Sequence, residues 1–253
     1  MMKAICASAV MAMLAGAALA DWPAYGHDSA RTAAAAESLR LPLEPAWVHV
    51  APHPPEFSWP DPAKNDYWHY KYNLQPRVTY DRAFHVTAAG GAVFYGSSAD
   101  DHVHCLDAKT GEPRWAFAAE GPVRLAPTVV GDTVLAGSDD GSVYGLSAAD
   151  GRLRWQYRPG PRDSRILGDG RMISRWPIRT GVAVEAGVGY CAAGLFPVSE
   201  GVYLAAFDPA TGRERWKRKV DQSAQGYLLA SGERLFLPSG YRSTHPPLKK
   251  FAR

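Results

Sequence analysis

The sequence predicts an all-β chain assembled from a repeated supersecondary unit of about 40 residues, the period of a propeller or solenoid array. Three observations predict it. Asp107, Gly111 and Trp115 stand at the spacing D-x3-G-x3-W; Ser147, Gly151 and Trp155 repeat it with Ser in place of Asp, and Asp208, Gly212 and Trp216 repeat it again. The match extends beyond these marks, since residues 92–117 align without a gap on residues 132–157. Twenty Pro and twenty-four Gly interrupt short runs rich in Val, Tyr, Phe and Leu, as a turn-rich β chain requires.

Each unit reads as strand, turn, strand, turn, strand. Val93-Phe94-Tyr95 lies over Thr133-Val134-Leu135, and Val103-His104-Cys105-Leu106 lies over Val143-Tyr144-Gly145-Leu146. Between them Ser98-Ala99-Asp100-Asp101 matches Ser138-Asp139-Asp140-Gly141, where Asp140-Gly141 is a hairpin signal because Gly accepts positive φ. In the next turn Asp107 or Asp208 can accept backbone N–H groups while Gly111, Gly151 or Gly212 supplies a left-handed position. That turn fixes Trp115, Trp155 and Trp216 on an outer strand. A Trp buries about 150–250 Å², so the three rings are expected to act as glue between neighbouring units.

The pattern A-x-D-x3-G-x3-W, carried by Ala206, Asp208, Gly212 and Trp216 and, with Cys105 in the first place, by Asp107, Gly111 and Trp115, resembles the tryptophan-docking motif of the quinoprotein-like (PQQ-repeat) β-propeller family. Ser147 is the second departure. The opening Trp22-Pro23-Ala24-Tyr25-Gly26-His27-Asp28 is similar to the entry of such proteins. The family includes BamB-like outer-membrane assembly factors and PQQ-dependent dehydrogenases. The resemblance spans Trp22 to Gly240 and implies a β-propeller of four-stranded blades. It carries the fold and says little about activity.

Trp47 reads as the closing strand of a unit whose other strands lie elsewhere. Insertions fall at residues 52–82 and 159–181, and residues 225–230 with 234–237 begin one more unit. The count is three complete units and a partial one at each end, about half of a seven- or eight-bladed ring. Truncation, dimerisation or closure as a four-bladed ring would each explain it; the pattern stops in mid-unit, which favours truncation.

Residues 1–20 read as a signal peptide: a basic start at Lys3, an apolar run from Ala4 to Leu14, and Ala18-Leu19-Ala20 before Asp21. Cleavage after Ala20 leaves residues 21–253 as the repeat domain, exported to the periplasm or secreted. Cys6 lies inside the signal, so no lipid anchor is expected. No later run reaches the ~18 apolar residues of a membrane span. Cys105 and Cys191 fall on strands of different units and are expected to be buried thiols rather than a bridge. The net charge of +3 makes no case for nucleic acid.

Candidate chemistry is sparse. Arg162, Arg165, Arg171, Arg175 and Arg179 crowd one insertion and Arg124 stands in the preceding connection. Arg forks suit carboxylate, sulfate or phosphate, so Arg124, Arg171, Arg175, Trp176 and Arg179 form a candidate anion or partner site, in which Trp176, an aromatic between Arg175 and Arg179, suits an acidic sugar or a partner's carboxylate. The plainer alternative pairs these cations with Asp163, Asp169 and Glu185. His102 and His104 share a strand face, but two histidines fall short of a zinc site and no metal is expected. The aromatic stretch from Tyr67 to Tyr72 is either a binding surface or packing over the first unit. No Ser-His-Asp arrangement, phosphate loop or CxxC motif appears. The resemblance implies that a dehydrogenase member would hold PQQ and calcium and carry adjacent cysteines; this chain has no adjacent pair. The expected function is therefore a non-catalytic scaffold with no cofactor, binding a protein or acidic glycan of the envelope through its loops. The alternative is part of a PQQ-dependent dehydrogenase.

Overall fold

A computed structural model describes residues 21–39, 41–56, 71, 83–168, 170–196 and 200–238. The signal segment and the Tyr67–Tyr72 stretch, apart from residue 71, lie outside them. Among the described residues there are eighteen strands: β1 (Val86–Ala89), β2 (Ala92–Gly96), β3 (His102–Asp107), β4 (Pro113–Ala118), β5 (Thr128–Val130), β6 (Thr133–Gly137), β7 (Val143–Ser147), β8 (Leu153–Tyr157), β9 (Arg165–Gly168), β10 (Arg171–Ser174), β11 (Thr180–Gly181), β12 (Ala183–Glu185), β13 (Val188–Ala193), β14 (Val202–Phe207), β15 (Glu214–Val220), β16 (Gly226–Tyr227), β17 (Leu229–Ser231) and β18 (Arg234–Phe236).

They form three four-stranded antiparallel meanders, β1–β4, β5–β8 and β12–β15, with β17 and β18 starting another. The fold is all-β, and its sheets are the blades of a partial propeller. The innermost strands β1, β5, β12 and β17 neighbour one another in that order. The entry segment crosses their edges. Trp22 exchanges two backbone bonds with Ala88, Val129 N donates to Pro23 O at 2.7 Å, Ser29 meets the Glu185 carboxylate, and Ala230 N donates to Ser29 O at 2.8 Å. One segment thus ties four sheets at the hub.

The core lies between sheets rather than within one. Phe94, Val103 and Cys105 pack with Val134, Tyr144 and Leu146 between the first and second. Leu135, Val143 and Tyr157 pack with Cys191, Ala205 and Phe207 between the second and third. A middle strand covered on both faces needs no polar alternation, which is why Thr133–Gly137 reads as an almost unbroken small and apolar run.

Each outer strand bulges at the same place. The register slips between Cys105 and Leu106, between Gly145 and Leu146, and between Ala206 and Phe207. The docking tryptophan lies opposite the residue just before each slip: Trp115 across from Cys105, Trp155 from Gly145, Trp216 from Ala206. That residue must be small. A Cβ on Gly145 would stand 2.1 Å from the Trp155 ring.

Candidate functional site

The repeat turns are closed by their own aspartates and glycines. Asp107 Oδ1 accepts Lys109 N at 2.8 Å and Thr110 N at 3.0 Å, and Gly111, at φ 75°, donates to Asp107 O at 2.8 Å. Asp208 repeats the arrangement with Ala210, Thr211 and Gly212. Arg114 and these backbone N–H groups pull the Asp107 carboxyl down to about 2.

Each turn receives an indole from the chain before its own sheet. Trp47 lies on Gly111, Trp115 on Gly151 and Trp155 on Gly212, so close that a Cβ on any of these glycines would fall within 2.4–2.6 Å of a ring carbon. Trp47 Nε1 donates to Ala108 O and Trp115 Nε1 to Ala148 O, each at 3.0 Å. Trp155 also lies over Gly145, and its buried Nε1 has no hydrogen-bond partner among the described residues. Trp47 docks although its segment is not a strand. Trp216, the last of the series, stays 36% exposed; Tyr190 and Arg218 touch its ring, and no docking glycine covers it among the described residues.

The opposite end of the sheets, here termed the mouth, gathers the loops 97–101, 119–127, 138–142 and 158–179. They are laced by backbone bonds: Val123 N to Ser97 O, Asp139 N to Pro122 O, Ser174 N to Asp139 O and Ile178 N to Ser138 O. The arginines expected to form one anion site separate here into three groups. Arg124 and Arg179 close on Asp139, with Arg124 Nε at 2.7 Å, Arg179 Nε at 3.0 Å and Arg179 Nη2 at 2.9 Å from its oxygens. All three side chains are buried. Burial alone would raise the Asp139 carboxyl; the Arg179 and Arg124 guanidinium groups outweigh it and hold it below the ordinary carboxylate range.

Arg171 projects from the β9–β10 hairpin to the first sheet. Its Nη1 donates to Ser98 O at 2.6 Å and to the Asp101 carboxylate, its Nη2 to Ala99 O at 2.7 Å, and its Nε lies 3.0 Å from Glu56 Oε2. Arg175 and Arg162 share Glu200, at 3.0 and 2.7 Å. Trp176, expected to present a face between two arginines, is instead fully buried against Tyr203, with Arg162 lying over its ring at 5.1 Å. The carboxylates that satisfy these cations are chiefly Asp139, Asp101, Glu56, Glu120 and Glu200. Asp163 does pair with Arg158 and Arg165, whereas Glu185 is held by Ser29.

Two features were not read from the sequence. Strands β9 and β10 form an antiparallel hairpin pair that belongs to no blade, with Leu167 directly opposite Met172. Ile173 on its inward face is buried, whereas Leu167 and Met172 are 73% and 54% exposed. Asp169-Gly170, a turn signal between the apolar pairs Ile166-Leu167 and Met172-Ile173, was the available signal. The second feature lies at the inner rim. Tyr25 and Tyr227 stack at 3.7 Å and 2°, and the Tyr227 hydroxyl meets His85 Nδ1 at 2.7 Å and accepts Ala126 N at 2.8 Å.

Cys105 and Cys191 are free buried thiols. Burial raises the Cys105 thiol to about 11 and Cys191 further still. His104 meets Asp100 Oδ2 at 2.9 Å, and His102 meets the Asp100 carbonyl. No group of three or more His, Cys, Asp or Glu among the described residues could hold a metal ion.

No curated protein matches the chain significantly. Among solved structures, BamB from Moraxella catarrhalis aligns at 21% identity over 62% of this chain and 42% of its own, with a TM-score of 0.47. The quinohemoprotein alcohol dehydrogenase of Comamonas testosteroni aligns at 17% over 79% of this chain and 27% of its own, TM-score 0.47. The computationally designed Ika4 protein aligns at 15% over 62% and 85%, TM-score 0.46. The chain thus spans less than half the length of the two natural structures. A family model covers most of it, matching residues 65–175 and 168–244. With its repeated sheets and docked indoles, the chain belongs to the PQQ-repeat family described as outer membrane protein assembly factor BamB.

Proposed function

We propose that this chain is exported, its signal removed after Ala20, and serves in the cell envelope as a non-catalytic scaffold that docks a protein partner of outer membrane protein assembly at its mouth. The observation that carries this is the Leu167–Met172 pair, an apolar cross-strand couple on the outward face of a hairpin outside the blades. A solvated face of an antiparallel pair ordinarily alternates to polar residues. Burying either side chain against a partner is worth about 1.5–3 kcal/mol, and Met is enriched at such interfaces. Arg171, gripping the first sheet's 98–101 turn at three points and Glu56 at a fourth, fixes the hairpin before any partner arrives, which lowers the ordering cost of binding.

Arg162 and Arg175 at the hairpin base add two cations to one carboxylate, Glu200. That excess suits an acidic group on the partner or an acidic glycan. Arg175 is the clean probe of it. Arg124 and Arg179 are buried on Asp139, and Arg171 holds the hairpin itself, so changing them would disturb the mouth as a whole.

The test is photo-crosslinking in the envelope from a reactive residue at position 167 or 172, beside a control at Lys109 in a docking turn at the far end. Adducts with one defined envelope protein from 167 and 172, lost in R175E or at high salt, fit the proposal. Equal yields from position 109, or none from the hairpin, would refute it. Quinone absorbance and dye reduction with alcohols after addition of PQQ and calcium would establish the dehydrogenase alternative instead.

A further inference from the structure

The first and second sheets build the same turn at the mouth from different residues. In the second, Asp140 Oδ1 accepts Ser142 N at 2.7 Å and Oδ2 accepts the Tyr144 hydroxyl at 2.5 Å, and Gly141 takes φ 91°. In the first, at the aligned positions, Asp100 Oδ1 accepts His102 N at 3.3 Å and Oδ2 meets His104 Nε2 at 2.9 Å, and Asp101 takes φ 63°. The second sheet uses a glycine where φ is positive and a tyrosine that keeps its proton to high pH, since burial raises it further. The first uses an aspartate and a histidine in those places, and a non-Gly residue at positive φ persists only where its surroundings hold it there. The turn with the titratable residues is the one Arg171 grips, through Ser98 O, Ala99 O and Asp101.

We propose that the Asp100–His104 turn is a pH-responsive latch for the β9–β10 hairpin: it holds the docking face of Leu167 and Met172 in place at neutral pH and lets it go in mild acid. The regulatory consequence rests on the docking role proposed above; the latch itself does not. His104 stacks on Tyr95 at 4.8 Å, and His49 reaches the Tyr95 hydroxyl at 3.1 Å. Among the described residues the titratable groups facing His104 are therefore Asp100 from the turn, His102 from its own strand, Tyr95 from β2 and His49 from the entry side. Those facing Asp101 are Arg171, Arg124 and Asp100.

Burial holds His104 below its ordinary value, with His102 and His49 acting in the same direction and Asp100 against them. An opened turn, in which His104 is solvated, therefore binds its proton more tightly than the closed one. Acid favours opening as the pH falls through about 6.5 and below. Asp100, held low in the closed turn, adds the same sign in the carboxylate range. Asp101 is raised by burial and opposes it there, which bounds the window from below.

The experiment is hydrogen exchange of residues 165–174 in the free protein at about pH 5 and about pH 7.5, corrected for the intrinsic pH dependence of exchange. Each unit by which His104 is depressed opens the hairpin up to about tenfold more in acid. The result expected is loss of hairpin protection in acid for the native protein and none for H104Y, which installs the second sheet's solution. If H104Y does not fold, H104Q decides in the same way, since it too cannot titrate. Unchanged protection in the native protein, or the same acid loss in the variant, overturns the latch. Exchange is read without a partner, so a failed docking test and a failed latch are told apart.

Discussion

Replacing Trp115 by Ala should destabilise the protein far more than replacing Trp216 by Ala. Trp115 lies on Gly151 and donates to Ala148 O; the aligned Trp216 is 36% exposed with no glycine over it among the described residues. Removing a packed aromatic costs about 3–5 kcal/mol, and Trp115 is only half-buried, which sets its packing loss at the low end, about 3 kcal/mol. The lost indole hydrogen bond adds about 1 kcal/mol. W216A should stay within about 1 kcal/mol, as substitutions away from packed features do. In a domain of this length each kcal/mol moves Tm by about 2–4 °C, so W115A should melt roughly 10 °C lower and W216A within a few degrees of the parent. Urea denaturation followed by far-ultraviolet circular dichroism measures both without depending on the lost fluorophore. Gly151→Ala serves as the reciprocal change, since its Cβ would stand 2.6 Å from the Trp115 ring at a positive φ. Equal losses from W115A and W216A would refute the docking argument.

D139N should cost about 3–5 kcal/mol in denaturant unfolding, because it leaves the buried Arg124 and Arg179 facing an amide in place of a carboxylate; a loss under 1 kcal/mol would mean that the triad is solvated. Asp107, held near 2 in the folded chain, contributes stability that is present above its ordinary value and fades as the pH falls from about 4 towards 2. The pH dependence of stability in that window should be shallower in D107N, and an unchanged slope would contradict the Arg114 and backbone contacts assigned to it.

The repeat was legible because its determinants are local. Asp107, Gly111 and Trp115 define a turn within nine residues, and the turn alone dictates which residue types fit. The reason for a small residue at Cys105, Gly145 and Ala206 was visible only once the bulge set each tryptophan opposite it. The mouth was legible in composition and illegible in pairing. Arg171 and Asp101 are seventy residues apart, and Arg179 and Asp139 forty. The partners that consume these cations are brought in by sheet order, which no spacing in the chain reports. Trp176 illustrates the same limit. Its two arginine neighbours suggested a presented ring, yet the chain turns it inward to pack with Tyr203 while Arg162, from fourteen positions earlier, covers it. The β9–β10 hairpin was illegible because its apolar residues fall as adjacent pairs, Ile166-Leu167 and Met172-Ile173, without the polar alternation that marks a strand.

The most direct test of the architecture is the exchange of indole Nε1 protons with water, followed by nuclear magnetic resonance with W115F and W216F to assign the signals. The account predicts slow exchange for Trp47 and Trp115, bonded to Ala108 O and Ala148 O, and fast exchange for Trp216. Fast exchange at Trp115, matching that at Trp216, would mean that no ring bridges adjoining sheets, and the propeller arrangement would fail with it.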